Sequence, residues 1–63
     1  MIGKNIKEVR EEKGWTQEEL AEKIGYERSI VAKWERGSMK PYAETLAIIA
    51  TACEVPVERF YKV

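Results

Sequence analysis

The side chains of this 63-residue chain that can do chemistry are few, and the useful ones are mostly cations. There is no histidine, a single cysteine (Cys53), and no Cys/His cluster with the spacing of a zinc site. No nucleophile stands beside a base, so the chain reads as a non-enzyme that needs neither cofactor nor metal. What remains is hydrogen-bond donation. At about 100° per residue, Arg28, Ser29, Ala32, Lys33 and Arg36 fall on one side of a helix, and Glu27, Ile30, Val31 and Trp34 on the other. The first face offers cations, a hydroxyl and a methyl, with no large apolar group. It is open to two readings. One is ordinary solvated helix surface. The other is a face that lies in a DNA major groove, where Arg and Lys donate to guanine acceptors and small residues allow close approach.

Such a face needs elements to position it, and the residues before it supply them. Thr16 and Glu19 form a capping box, in which the hydroxyl takes an orphan amide of the first turn and the carboxylate reaches back to the cap's own amide. Leu20, Ala21 and Ile24 then recur at helical spacing as one apolar stripe. Gly25 ends that helix, where a left-handed residue is cheap. A second helix runs from about Arg28 and stops at Gly37. Two short helices joined at a glycine, the second carrying the basic face, make the pattern of a helix-turn-helix and weight the reading toward DNA.

The run Thr16-Gln17-Glu18-Glu19-Leu20-Ala21, then Gly25, Trp34-Glu35-Arg36-Gly37 and Lys40-Pro41, resembles the Cro/repressor (Xre-like) helix-turn-helix family of phage and bacterial transcription regulators. The likeness extends to Ile6, Arg10 and Gly14 before the motif and to Leu46, Ala50, Val55 and Phe60 after it. It implies an all-α, compact five-helix lambda-repressor-like DNA-binding domain, with the helix-turn-helix formed by helices two and three and a single domain over residues 1–63. It also implies that Arg10 pairs with Glu35, tying helix one to the end of the recognition helix, and that Gln17 meets a phosphate. The C-terminal region, here Ile48, Val57 and Tyr61, would pair two subunits about a two-fold axis. Two recognition helices would then sit roughly 34 Å apart on a near-palindromic site.

On these grounds Arg28, Ser29, Ala32 and Lys33 are expected to read bases, Ala32 against a thymine methyl. Thr16, Gln17, Arg36, Ser38, Lys40 and Tyr42 are expected on phosphates, which set register rather than sequence. The chain departs from the family at several places. Tyr26 and Glu27 stand where a small aliphatic residue and a Ser or Thr are usual, and glutamate is a poor N-cap. Trp34 replaces an aliphatic residue and is expected in the core. Cys53 stands where leucine is common and reads as a small buried hydrophobe. Glu54 replaces a closing glycine, so it must adopt a left-handed shape or remodel the turn.

The remaining stretches frame that motif. Residues 3–13 read as helix one, with Ile6 and Val9 inward and Gly14 closing it; Trp15 then covers the core between helices one and two. Residues 43–53 read as helix four with Leu46, Ile49, Ala50 and Cys53 inward, and Pro56 starts a short fifth helix that buries Phe60. Eleven basic residues balance eleven acidic ones, whereas a phosphate-binding domain usually leans basic. The cations Arg28, Lys33, Arg36 and Lys40 nevertheless concentrate against only Glu27 and Glu35 in residues 26–42. This balance favours a rival reading, a helix-turn-helix scaffold that serves as a protein-interaction module or anti-regulator without binding DNA. No long apolar run or leader is visible, so a cytoplasmic protein, on the nucleoid when bound, is expected. Its partners would be double-stranded DNA and a second copy of itself, with no membrane and no small-molecule ligand. A chain this short has no evident sensor region, which leaves regulation to concentration, self-association or a partner protein.

Overall fold

The computed structural model describes residues 1–63. The chain is all-helical: α1 Ile2–Glu12, α2 Gln17–Ile24, α3 Arg28–Arg36, α4 Ala43–Cys53, and a 3-10 helix Val57–Tyr61. The fifth element is thus a five-residue 3-10 segment rather than a full α-helix. Pro56, in extended conformation, delays its start, and a stretch this short is where the tighter helix is normally used. Helix one begins at Ile2 and ends at Glu12, one residue earlier than expected at each end, because Lys13 is its C-cap and Gly14 takes φ 76° just beyond.

The helix ends follow the local chemistry. Thr16 Oγ1 accepts from the Glu19 amide at 3.1 Å, and Glu19 Oε1 accepts from the Thr16 amide at 2.8 Å, so both halves of the capping box are present. Gly25, at φ 78°, turns the chain out of α2, and the Tyr26 amide closes the end on the Ala21 carbonyl. Glu27 occupies the N-cap of α3 without a side-chain cap bond. It is exposed rather than inward, since a cap residue in extended conformation does not follow the helical angle. Glu54 takes the left-handed option, at φ 59° and ψ 44°.

Eleven buried residues form one core: Ile6 and Val9 of α1, Leu20 and Ala21 of α2, Val31 and Trp34 of α3, four residues of α4, and Phe60. The α4 contributors are Leu46, Ile49, Ala50 and Cys53, the inner face read from their spacing. Burial pushes the Cys53 thiol up from its ordinary pKa, so it stays protonated and packs as a small hydrophobe rather than a reactive thiolate. α3 packs against both α1 and α2, while the 3-10 helix bridges α1 and α4. α3 is therefore clamped along its inner side and free along its outer one. No helix is long and apolar enough to cross a membrane.

Two contacts that secure this arrangement join residues far apart in sequence. Asn5 Nδ2 donates to the carbonyls of Phe60 (3.0 Å) and Lys62 (2.6 Å), which ties the C-terminal segment onto α1. Gly3 faces the backbone carbonyl of Trp34, where a Cβ would overlap the oxygen, so α1 approaches the end of α3 more closely than any side chain would allow.

Candidate nucleic-acid interface

The outer side of α3 presents Arg28, Ser29, Lys33 and Arg36 exposed, with Ala32 half-buried between them. Val31 and Trp34 point the other way into the core, and Ile30 is half-buried. Trp34 is only 3% exposed, and Tyr26 meets it edge-on with ring centroids 5.1 Å apart. Tyr26 also exchanges a hydrogen bond with the buried Thr45 hydroxyl at 3.0 Å. The aromatic substitution at Trp34 thus comes with an aromatic partner, and the indole has no free face to stack on a base.

Beneath the face lies a polar network. Arg10 grips Glu35 in a two-point pair, Nε to Oε2 at 2.7 Å and Nη2 to Oε1 at 3.0 Å, with the two side chains 10% and 4% exposed. The remaining Arg10 Nη1 donates to the Trp15 carbonyl at 2.7 Å. These hydrogen bonds to Glu35 hold the guanidinium pKa above its ordinary value, against the pull of desolvation. Gln17 Nε2 adds a third donor to the same carboxylate, reaching Glu35 Oε1 at 3.0 Å. Its carbonyl oxygen then faces Arg28, whose Nη1 lies 3.5 Å away. A buried ion pair at the heart of the domain is thereby linked, through one amide, to Arg28, the first residue of α3.

Gln17 is therefore not the free phosphate donor that its position at the start of α2 implies. A carboxylate can only accept, so Glu35 orients the amide nitrogen inward and the oxygen outward. The amide retains a second N–H for an anion. Thr16 is in a similar position: its oxygen serves as the cap acceptor, which leaves the hydroxyl proton available. Beyond α3, Arg36 Nη2 lies 3.4 Å from the Ser38 hydroxyl, which in turn lies 3.4 Å from the Lys33 carbonyl, so these two expected phosphate ligands are neighbours. Lys40 and Tyr42 are exposed, Tyr42 at 78%.

Ile48, Val57 and Tyr61, expected as one apolar surface, are distributed differently. Ile48 lines a shallow depression with Lys23, Ala47, Thr51 and Ala52. Tyr61 lines a separate cleft, and Val57 is half-buried against the core. The surface around Ile48 is thus made mostly by α4, with Lys23 of α2 at its edge, which spacing did not single out. The link from Gln17 to Arg28 was also missed, since nothing in a sequence pattern tells which way an amide is turned.

The helix-turn-helix family model matches residues 6–60, nearly the whole chain. Among curated proteins, the immunity repressor of Bacillus phage phi105 is 39% identical over 56 residues, covering 89% of this chain and 39% of that protein. The transcriptional regulator SinR of Bacillus subtilis is 38% identical over 58 residues, covering 90% of this chain and 52% of that one. The chain spans about half the length of such relatives, or less. Among solved structures, SinR in complex with DNA superposes with a TM-score of 0.91 at 35% identity, covering 98% of this chain and 100% of that one. The restriction-modification controller protein C.AhdI from Aeromonas hydrophila gives 0.89 at 32% identity, covering 94% and 86%. The all-α architecture, the capped turn between α2 and α3 and the extent of the family match lead to one conclusion: this chain belongs to the Cro/repressor-type helix-turn-helix family, whose named relatives here are transcriptional regulators rather than enzymes.

Proposed function

We propose that the chain is a sequence-specific DNA-binding transcriptional regulator, a repressor that occupies a near-palindromic operator as a homodimer. The observation that carries this reading is the outer side of α3, where Arg28, Ser29 and Lys33 stand exposed around Ala32 on a helix locked from behind by Trp34 and the Arg10–Glu35 pair. In the major groove, Arg28 and Lys33 donate to guanine acceptors, Ser29 bonds a neighbouring base edge, and Ala32 meets a thymine methyl. Thr16, Gln17, Arg36, Ser38, Lys40 and Tyr42 hold phosphates on either side and fix the register. The relatives lend support: one solved SinR structure contains DNA, and the phage phi105 protein is named an immunity repressor.

Pairing would run through the C-terminal elements. Ile48 stands 47% exposed on α4 beside Ala47 and Thr51, and the 3-10 helix that carries Val57 and Tyr61 packs against the same helix. A two-fold axis there would set two copies of α3 one DNA turn apart, roughly 34 Å. The zero net charge favours the rival reading, a scaffold that binds a partner protein and not DNA. Selection of binding sites from a random duplex pool separates the two. An enriched inverted repeat, bound with affinity that falls steeply with salt, is expected of the regulator. Weak binding without enrichment would instead favour the scaffold.

A further inference from the structure

A cleft of about 590 Å³ opens where the start of α1, the end of α3 and the C-terminal segment converge, a size within the range of roughly 300–1,000 Å³ in which ligands are commonly held. Its lining is apolar at depth, through Ile2, Trp34, Pro41 and Phe60. Met39 and Tyr61, 38% and 54% exposed, form its outer apolar part. Around these stand the side chains of Lys4, Arg36, Lys40 and Lys62, all exposed and none paired with a carboxylate. The one acidic side chain of the lining is Glu35, and both of its oxygens are already engaged by Arg10 and Gln17.

This combination is selective about what can fill it. In a chain of zero net charge, four cations around one apolar floor, none paired with a carboxylate side chain, make a local positive field. A purely apolar occupant would leave that field unmet, and a purely acidic one would leave Met39 and Tyr61 wet. The cleft is bordered by exposed Tyr61 and an adaptable methionine, which suits a linear segment lying across the surface.

We infer that this cleft docks an acidic peptide segment of a partner protein, seated by an apolar side chain against Met39 and Tyr61 and held by carboxylates on Lys4, Arg36, Lys40 and Lys62. Arg36 and Lys40 also belong to the proposed phosphate track, so the segment and DNA exclude one another. That consequence rests on the DNA-binding reading; the docking itself does not.

The test titrates the isotope-labelled chain, followed by NMR, with a blocked hexapeptide Glu-Glu-Leu-Phe-Glu-Glu. Two further probes accompany it, one with glycines in place of Leu-Phe and one with lysines in place of the glutamates. Saturable shifts at Ile2, Met39, Tyr61 and the Trp34 indole are expected with the first probe only. The double charge reversal Lys4→Glu with Lys62→Glu, at exposed positions remote from the core, should weaken that binding roughly tenfold, as expected for two exposed charges reversed. Equal binding by the glycine probe would reduce the effect to bulk charge attraction and overturn the inference. So would shifts centred on α4 or on the outer side of α3, or no saturable shift at all. A random-pool selection that fails while the hexapeptide binds would remove the DNA reading and leave the docking site standing.

Discussion

Replacing Glu35 by alanine should cost this domain a large part of its stability, through the arginine left behind. Arg10 is 8% exposed and gives three of its N–H donors to named acceptors, two on Glu35 and one on the Trp15 carbonyl. Without the carboxylate, a buried guanidinium keeps one carbonyl and loses its counter-charge, a change that costs about 3–5 kcal/mol where buried pairs have been broken. Stability of ~0.05–0.15 kcal/mol per residue gives a chain of this length only about 3–9 kcal/mol in total. Urea unfolding followed by the fluorescence of buried Trp34 should therefore show Glu35→Ala barely folded. The informative control is the double variant Arg10→Met with Glu35→Leu. It removes both charges and fills their space, and should be more stable than either single change, since well-packed apolar replacements of buried pairs are often neutral or better. A loss under about 1 kcal/mol for Glu35→Ala, with the two single effects adding in the double variant, would mean that the pair behaves as a solvated surface bridge and would refute the reasoning.

Three further outcomes follow from local geometry. Gly3→Ala should destabilise by about 1–3 kcal/mol, because the new methyl meets the Trp34 carbonyl; helix propensity alone would give a gain of about 1 kcal/mol, so the sign of the change in a thermal melt decides between them. Glu54→Gly should relieve the left-handed C-cap at φ 59° and raise stability by about 0.5–1 kcal/mol, a rise of a few degrees, at about 4–8 °C per kcal/mol for a domain this small. The Arg59 guanidinium, 2.9 Å from Glu12 and 3.8 Å from Glu8, holds the Glu12 carboxyl below its ordinary pKa, chiefly by hydrogen bonding. The stabilisation is present above the unfolded carboxyl pKa and is lost as pH falls through the folded one. In an NMR titration, Arg59→Ala should move the Glu12 midpoint back up; an unmoved midpoint would discount the bridge.

The sequence was most informative where one residue type answers one local need. Thr16 and Glu19 announce their capping box, Gly25 and Gly37 mark left-handed helix ends, and the inner positions of α4 repeat at helical spacing. The misreadings have physical causes too. Glu27 was rightly read as a poor N-cap, but a helical angle grouped it with Trp34 although its backbone is extended and its side chain exposed. The short fifth helix was legible with Phe60 inward, but not its 3-10 form, because periodicity over so few residues does not separate an α-turn from a 3-10 turn. Asn5, Gly3, and the Tyr26–Thr45 bond act between elements, and no local pattern marks such contacts. In the candidate interface, the residue types on the outer side of α3 were legible. The inward turn of the Gln17 amide was not, because it depends on Glu35, 18 residues further along the chain.

Above all, we propose that the outer side of α3 reads bases while the groups around it hold phosphates. The most direct test of this claim measures the affinity of Lys33→Ala for the selected duplex and for a set of duplexes changed one base pair at a time. A loss of about 1–3 kcal/mol is expected on the selected site, with preference relaxed at one position of each half-site and retained at the others. A uniform weakening across every duplex would make Lys33 a phosphate ligand, and unchanged affinity would take α3 off the DNA; either result would contradict the claim.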